Sequence, residues 1–290
     1  MTSQTQPHTV GDWICMQCGT QYALSAAAPS ACAICEDERQ YVGREGQHWT
    51  TRQQLAQSHS VRIDEDDGML GIALSPAFAI DQRALLVPGK AGNILWECVS
   101  LVNDDAVAAL QARGGVAAIA ISHPHFYASM VDWSIALGGV PIYVHADDRE
   151  WVQRTSPLFR FWNEDRLALS SDVTLIRCGG HFPGSTMLHW RHGVRGGGAL
   201  FPGDAAQVAL SRRHVSFMYS YPNLIPLAPH AVRRIARALV DLDYDDVYGF
   251  SWGRNIIGGG KVAILRSVSR YLAALNSHST KLERHACATL

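Results

Sequence analysis

Residues 116–127 read VAAIAISHPHFY, an apolar, partly β-branched run that passes without a break into two histidines one residue apart. Such a run between turn signals reads as a buried strand. The preceding Gly114 and Gly115 end a short helix that Asp104 caps and that runs through Ala112. In extended chain, residues i and i+2 project to the same side, so His123 and His125 at the strand's end present two imidazoles together. By itself an H-x-H is more often a pair of packed or surface histidines than a metal site. The rest of the chain decides between the two.

Upstream, GIALSPAFAI (71–80), RALLVP (83–88) and NILWECVSL (93–101) read as consecutive strands punctuated by Gly, Pro and Asp. Downstream come a helical stretch MVDWSIALG, a strand PIYVH and a tryptophan-rich segment from Trp151 to Arg166. The strands VTLIRCG, MLHWRHG and GGALFPGD follow, with Gly196 to Gly198 in a hairpin turn. Pro229 opens a helix carrying Val232, Ile235, Leu239 and Val240 on one face. VYGFSWG is a short strand and loop, and residues 260–275 form a helix with Val262, Leu265, Val268 and Leu272 aligned. Residues 276–290 are expected to be a frayed tail. This order of elements is α/β, with mixed sheets and helices outside.

Two of these strands also end in ligand-type side chains. His181 stands in the turn CGGHFPGST directly after VTLIR, and Asp204 closes LFPGD. Taken alone, the aspartate is a turn residue and the histidine a packed side chain. Four such groups at strand ends are another matter, because loops leaving one edge of a sheet converge.

The N-terminal region carries a second pattern. CMQCGTQYALSAAAPSACAIC, residues 15–35, holds Cys15 and Cys18, then Cys32 and Cys35, on either side of a 13-residue loop. Two residues between thiols let each pair point at one ion, and four thiolates complete a tetrahedron with no open position, a structural Zn2+ site. Gly19 and Pro29 also resemble the turns of a rubredoxin knuckle, in which iron takes the same place. The charged stretch that follows lacks periodicity until Thr51, so residues 1–50 read as a zinc-ribbon-like knuckle and 51–290 as the main domain.

With 47% apolar and 18% charged residues the 290-residue chain is ordinary globular material, and its net charge of -1 offers no basic footprint for nucleic acid or anionic membranes. The N-terminus shows no leader pattern and no segment is apolar enough to span a bilayer, so a cytoplasmic location is expected. Seven cysteines in a chain this large, four of them in C-x-x-C pairs, suit metal binding in a reducing compartment. The expected partner is a small-molecule substrate, and the knuckle is a candidate brace for the main domain or for a homodimer contact.

His123 and His125, then His181 in GGHFPGST, then Asp204 ending a strand resemble in order and context the metallo-β-lactamase superfamily, which uses H-x-H-x-D-H, a G-H-x-x-G-[SH] turn, an aspartate at a strand end and a last histidine. The resemblance covers roughly residues 60–270 and implies an αββα sandwich. Two departures stand out. Tyr127 and Ala128 replace the superfamily's Asp-His pair, and Ser251 and Trp252 stand where the final histidine belongs. Both remove ligands of a second metal, so the resemblance implies one ion, Zn2+ or Fe2+, on His123, His125 and His181, with Asp204 as fourth ligand or bonded to its water.

Three neutral imidazoles leave the full charge on a divalent ion, which then activates water near neutral pH. Asp204 is the candidate acid-base group and Tyr127 a candidate donor to a developing oxyanion. Trp252 is expected to wall a pocket for an apolar part of the substrate, together with Tyr127. FMYSYPNLIPL (217–227) is either loop packing or a second wall, and His145, His189, His192 and His214 are read as structural or solvent-facing. The activity most often implied by the resemblance is hydrolysis of an ester, thioester or lactone. A mononuclear non-haem iron oxygenase and a non-catalytic metal-binding protein are the alternatives.

Overall fold

The computed structural model describes residues 11–286, and side chains through residue 275. Strand β1 (Trp13–Cys15) pairs antiparallel with β2 (Trp49–Thr51), so the chain on either side of residue 50 is joined by a small ribbon. Helix α1 (Arg52–Ser58) starts at once, with Thr51 and Gln54 closing a reciprocal capping box.

The first large sheet follows. β3 (Ser60–Asp66), β4 (Met69–Ser75), β5 (Ala84–Val87) and β6 (Ile94–Trp96) are antiparallel neighbours. Helix α2 (Asp104–Ala112) and helix α3 (Met130–Ala136) are the crossovers that let β7 (Ala118–Ala120) and β8 (Ile142–His145) add in parallel, and β9 (Phe159–Trp162) completes the edge. The side chain that caps α2 is Asn103, one residue before the Asp104 expected from the sequence.

The second sheet takes β10 (Arg166–Ala168), β11 (Val173–Arg177), β12 (Thr186–Trp190) and β13 (Ala199–Phe201) in antiparallel order. Four short strands then form two small ribbons: β14 (Gln207–Val208) with β15 (Val215–Ser216), and β16 (Met218–Ser220) with β17 (Ile225–Pro226). After helix α4 (Pro229–Leu239), β18 (Asp246–Tyr248) joins β13 in parallel and β19 (Asn255–Ile257) closes the sheet, before helix α5 (Gly260–Ala286).

Alternation along the strands builds three apolar layers. In β5, Leu85 and Val87 face the second sheet's Leu175, Leu188 and Phe201, while Ala84 and Leu86 face α2 and α3. Leu200 of β13 points the other way, toward Ile235 of α4 and Ile264 of α5. The layers are therefore helix, sheet, sheet, helix, the αββα sandwich expected. The knuckle has no separate core, since Ile14, Ile34 and the four thiols share the cluster of the first sheet's outer face.

Three local readings need correction. On α5 the buried side chains, among the described ones, are Ala263, Ile264, Ser267 and Val268, while Val262 and Leu265 are exposed, so the inward face is rotated by about one residue from the one expected. Val240 lies beyond the last turn of α4 and is exposed. The expected tail from 276 is helical through Ala286, in keeping with the absence of Gly or Pro after Lys261; residues 287–290 lie outside the described residues.

Candidate metal centre

Strand β7 ends at Ala120, and His123 is still extended when Pro124–Phe126 turn into a 3₁₀ turn. His125 therefore sits in that turn rather than in a strand, and the two rings meet edge to face at 5.1 Å. His181 follows Gly179 and Gly180, both at positive φ, and a side chain on Gly179 would overlap the Arg234 guanidinium. Asp204 lies in the 3₁₀ turn Gly203–Ala206 after β13. Gly203 has φ 52°, and a Cβ there would come within 2.6 Å of Ser122 Oγ, so this glycine lets the ends of β7 and β13 close on each other.

His123, His125, His181 and Asp204 each offer one ligand atom, and all four atoms lie within 4.8 Å of one another. His181 Nε2 is 3.2 Å from His125 Nδ1 and 4.0 Å from an Asp204 oxygen, which is itself 3.6 Å from His123 Nε2. Four donors at about 2.0–2.1 Å around one tetrahedral ion would be about 3.4 Å apart. The outer nitrogens are held: His181 Nδ1 donates to the Met218 carbonyl at 3.2 Å, and His123 Nδ1 meets Ser122 Oγ at 2.7 Å. Those contacts turn the Nε2 lone pairs inward. Among the described residues, buried His123 Nε2 and Asp204 Oδ1 have no hydrogen-bond partner, a cost that an ion or its water would relieve.

Burial holds His125 well below the usual imidazole range, reinforced by the charges of His181 and His123; burial likewise takes His181 down to about 3. Both rings are thus neutral ligands at neutral pH. Behind them Glu97, at φ 65°, accepts the Ser122 N–H at 3.1 Å. Burial pushes its carboxyl well above the ordinary range, with the Asp204 charge acting in the same direction.

The cysteine cluster fits an ion equally well. Cys15 and Cys35 sulfurs are 3.6 Å apart and those of Cys18 and Cys32 3.7 Å, too far for a disulfide. Four thiolates at 2.3 Å around one ion would be separated by about 3.8 Å. Gln47 Nε2 donates to Cys15 Sγ at 3.2 Å and the Tyr22 hydroxyl to Cys32 Sγ at 3.3 Å, donors suited to charged sulfur. Among the described residues these are the two groups of three or more ligand side chains that converge.

In comparison with known proteins, no family model matches the chain. Over 268 residues, 91% of this chain and 97% of the relative, it is 40% identical to the uncharacterized protein YmaE of Bacillus subtilis (strain 168). The chain belongs to the YmaE family. Among solved structures it is similar to VMB-1 and to the DIM-1 metallo-beta-lactamase, each at TM-score 0.54 and 12% identity, covering 74% of this chain and 98% of the other. This YmaE-family chain has the metallo-β-lactamase fold, with a four-cysteine cluster at its N-terminal end. Among its described residues no helix is long and apolar enough to cross a membrane.

A cavity of about 240 Å³ opens in front of His125, His181 and Asp204. Two expected pocket residues are not in its wall. Tyr127 takes an α conformation at the end of the 3₁₀ turn, which buries its ring in the first sheet's outer cluster, and its hydroxyl donates to the Asp148 carbonyl at 2.9 Å. That position does not support the expected oxyanion role. Trp252 packs the end of its six-membered ring against Gly71 of β4, under the guanidinium of Arg62 at 4.2 Å, because glycine leaves space for an indole on the sheet. Phe250, two residues earlier, lines the cavity instead.

Segment 217–227 divides its work: Phe217 and Leu227 are core, Met218 holds His181, and Tyr221 and Pro222 form cavity wall. His145 stacks edge-on against Trp162, His189 bonds the Asp243 carbonyl at 2.8 Å, and neither they nor His192 and His214 enter the cluster. Sequence reasoning missed the wall residues Gln17, Gln40, Tyr41 and Gln207. It also missed Glu97, although a lone acid inside the apolar run ILWECVSL was a usable signal.

Proposed function

We propose that the chain is a metal-dependent hydrolase of an uncharged ester, thioester or lactone, acting through one ion held by His123, His125, His181 and Asp204. The observation that carries this reading is the convergence of four buried ligand-type side chains, three of which, His125, His181 and Asp204, line an open cavity, while the fourth, His123, keeps its Nε2 without a hydrogen-bond partner among the described residues. When bound, the ion supplies Lewis-acid polarisation of the scissile carbonyl and activation of a water. The chain does the rest. Neutral His125 and His181 would add no charge of their own, so only the Asp204 carboxylate would offset that of the ion, and its buried Oδ1, without a partner among the described residues, would accept the proton of the attacking water. The cavity wall carries apolar Ala79, Ile80 and Phe250 with the amides of Gln17, Gln40 and Gln207 and, among the described residues, no Lys or Arg, which favours a neutral substrate with an apolar portion.

The test is turnover of a panel of neutral esters, thioesters and lactones by protein purified without chelator, with Asp204→Ala beside it. Hydrolysis that the substitution removes supports the proposal. Iron content with oxygen consumption and no hydrolysis would replace it with an oxygenase. Identical behaviour of wild type and Asp204→Ala in every assay would leave a metal-binding protein.

A further inference from the structure

We infer that the four-cysteine knuckle is a wall of the reaction cavity, and that occupancy of its thiolate site sets how well substrate is held over the imidazole site. This rests on the proposed activity for its kinetic part only. Gln17 lies inside the Cys15–Cys18 turn itself, and Gln40 and Tyr41 follow Cys35 closely; all three line the same cavity as His125, His181 and Asp204.

The segment between Cys35 and that wall is fastened to the floor of the site. Arg39, paired with Asp37 at 2.6 Å, places its guanidinium 3.9 Å over Phe182, the residue after His181, and donates to the His181 carbonyl at 3.4 Å. From the facing loop, Ser220 Oγ donates to the Arg39 carbonyl at 3.1 Å, and Asn223 Nδ2 donates to the carbonyls of Glu38 and Gln40, each at 2.9 Å. That same loop supplies the Met218 carbonyl that orients His181 and the Tyr221 and Pro222 of the wall.

Between β1 and β2 the chain has no regular element longer than a bridge, and the four buried sulfurs tie the Cys15–Cys18 turn to the Cys32–Cys35 turn across the loop between them. Where metal binding closes so small a unit, binding free energy is folding free energy. Emptying the knuckle is expected to loosen residues 37–41 and, through Asn223 and Ser220, the loop 218–223. The imidazole site has a different support. Its ligands hang from the ends of β7, β11 and β13, so its ion stays when the knuckle's is lost.

The experiment compares full-length wild type with Cys32→Ser, Gln17→Ala and Gln40→Ala. Readouts are metal content, amide hydrogen exchange by peptide, and KM and kcat on the best neutral ester. Cys32→Ser should keep one ion per chain and raise exchange in residues 37–41 and 218–223 by about tenfold or more. KM should rise about tenfold with kcat within about threefold. The two glutamine variants should keep both ions and raise KM about threefold, the loss of one neutral hydrogen bond. If Cys32→Ser does not fold, an organomercurial titrated into wild type strips the thiolate site, with the same readouts. Unchanged exchange at 218–223 once the knuckle is empty overturns the inference. Exchange and metal content need no turnover, so failure to hydrolyse any ester counts against the proposed activity alone.

Discussion

The four thiols and the three imidazoles with Asp204 are equally buried, yet one cluster is closed and the other opens on a cavity. Four sulfurs complete a tetrahedron and receive hydrogen bonds from Gln47 and Tyr22, which leaves no place for a reactant. The second cluster keeps unpartnered donor atoms at a cavity floor. Burial alone thus does not separate a structural site from a reactive one; access and unsatisfied valence do.

Substitutions in each cluster should break this contrast most sharply. His181→Ala is expected to reduce hydrolysis to background with little change in melting temperature, whereas Cys32→Ala should lower the melting temperature strongly and make it insensitive to chelator. Thermal melts with and without chelator, run beside a hydrolysis assay, check both. Equal effects of the two changes on stability would erase the distinction.

Asp148 lies where the two regions meet. Its Oδ1 accepts the Gly184 N–H of the His181 turn at 2.7 Å, and Arg39 of the knuckle faces it. Burial pushes its carboxyl up to about 7. A carboxyl raised on folding favours the native state below the unfolded value and loses that contribution as pH climbs to the folded one. Stability should therefore fall between about pH 4 and pH 7, by at most about 4 kcal/mol from this group. Asp148→Asn keeps the Oδ1 acceptor and should flatten that slope in denaturant titrations across the range.

Smaller effects test the support of the ligands. Ser122→Ala frees His123 Nδ1 and should weaken the imidazole site about 10- to 100-fold in metal affinity, measured by competition with a chromophoric chelator, without touching the thiolate site. Tyr127→Phe removes a buried hydrogen bond to Asp148 and should cost about 1 kcal/mol of stability while kcat is unchanged. A large loss of kcat there would restore a chemical role to Tyr127.

Ligands were legible in the sequence where chemistry and position coincide. Paired C-x-x-C turns and histidines or aspartate at strand ends carry their own signal, and short apolar runs between turn residues marked the strands, while the facing of the two sheets came from the family resemblance. Side-chain direction was not legible. A single 3₁₀ turn sends Tyr127 behind the site, and Gly71, far away in the chain, draws Trp252 onto β4. The cavity wall was hidden for a related reason: Gln17 and Gln40 reach it from the knuckle, whose segment around Gln40 is docked by Arg39 and Asn223, a long-range pairing that no local pattern encodes.

Elemental analysis of chelator-free protein tests the central claim most directly. Wild type should carry two ions per chain, His181→Ala only the thiolate-bound one and Cys32→Ala only the imidazole-bound one. Three ions in wild type, or a metal content that neither substitution changes, would contradict the account.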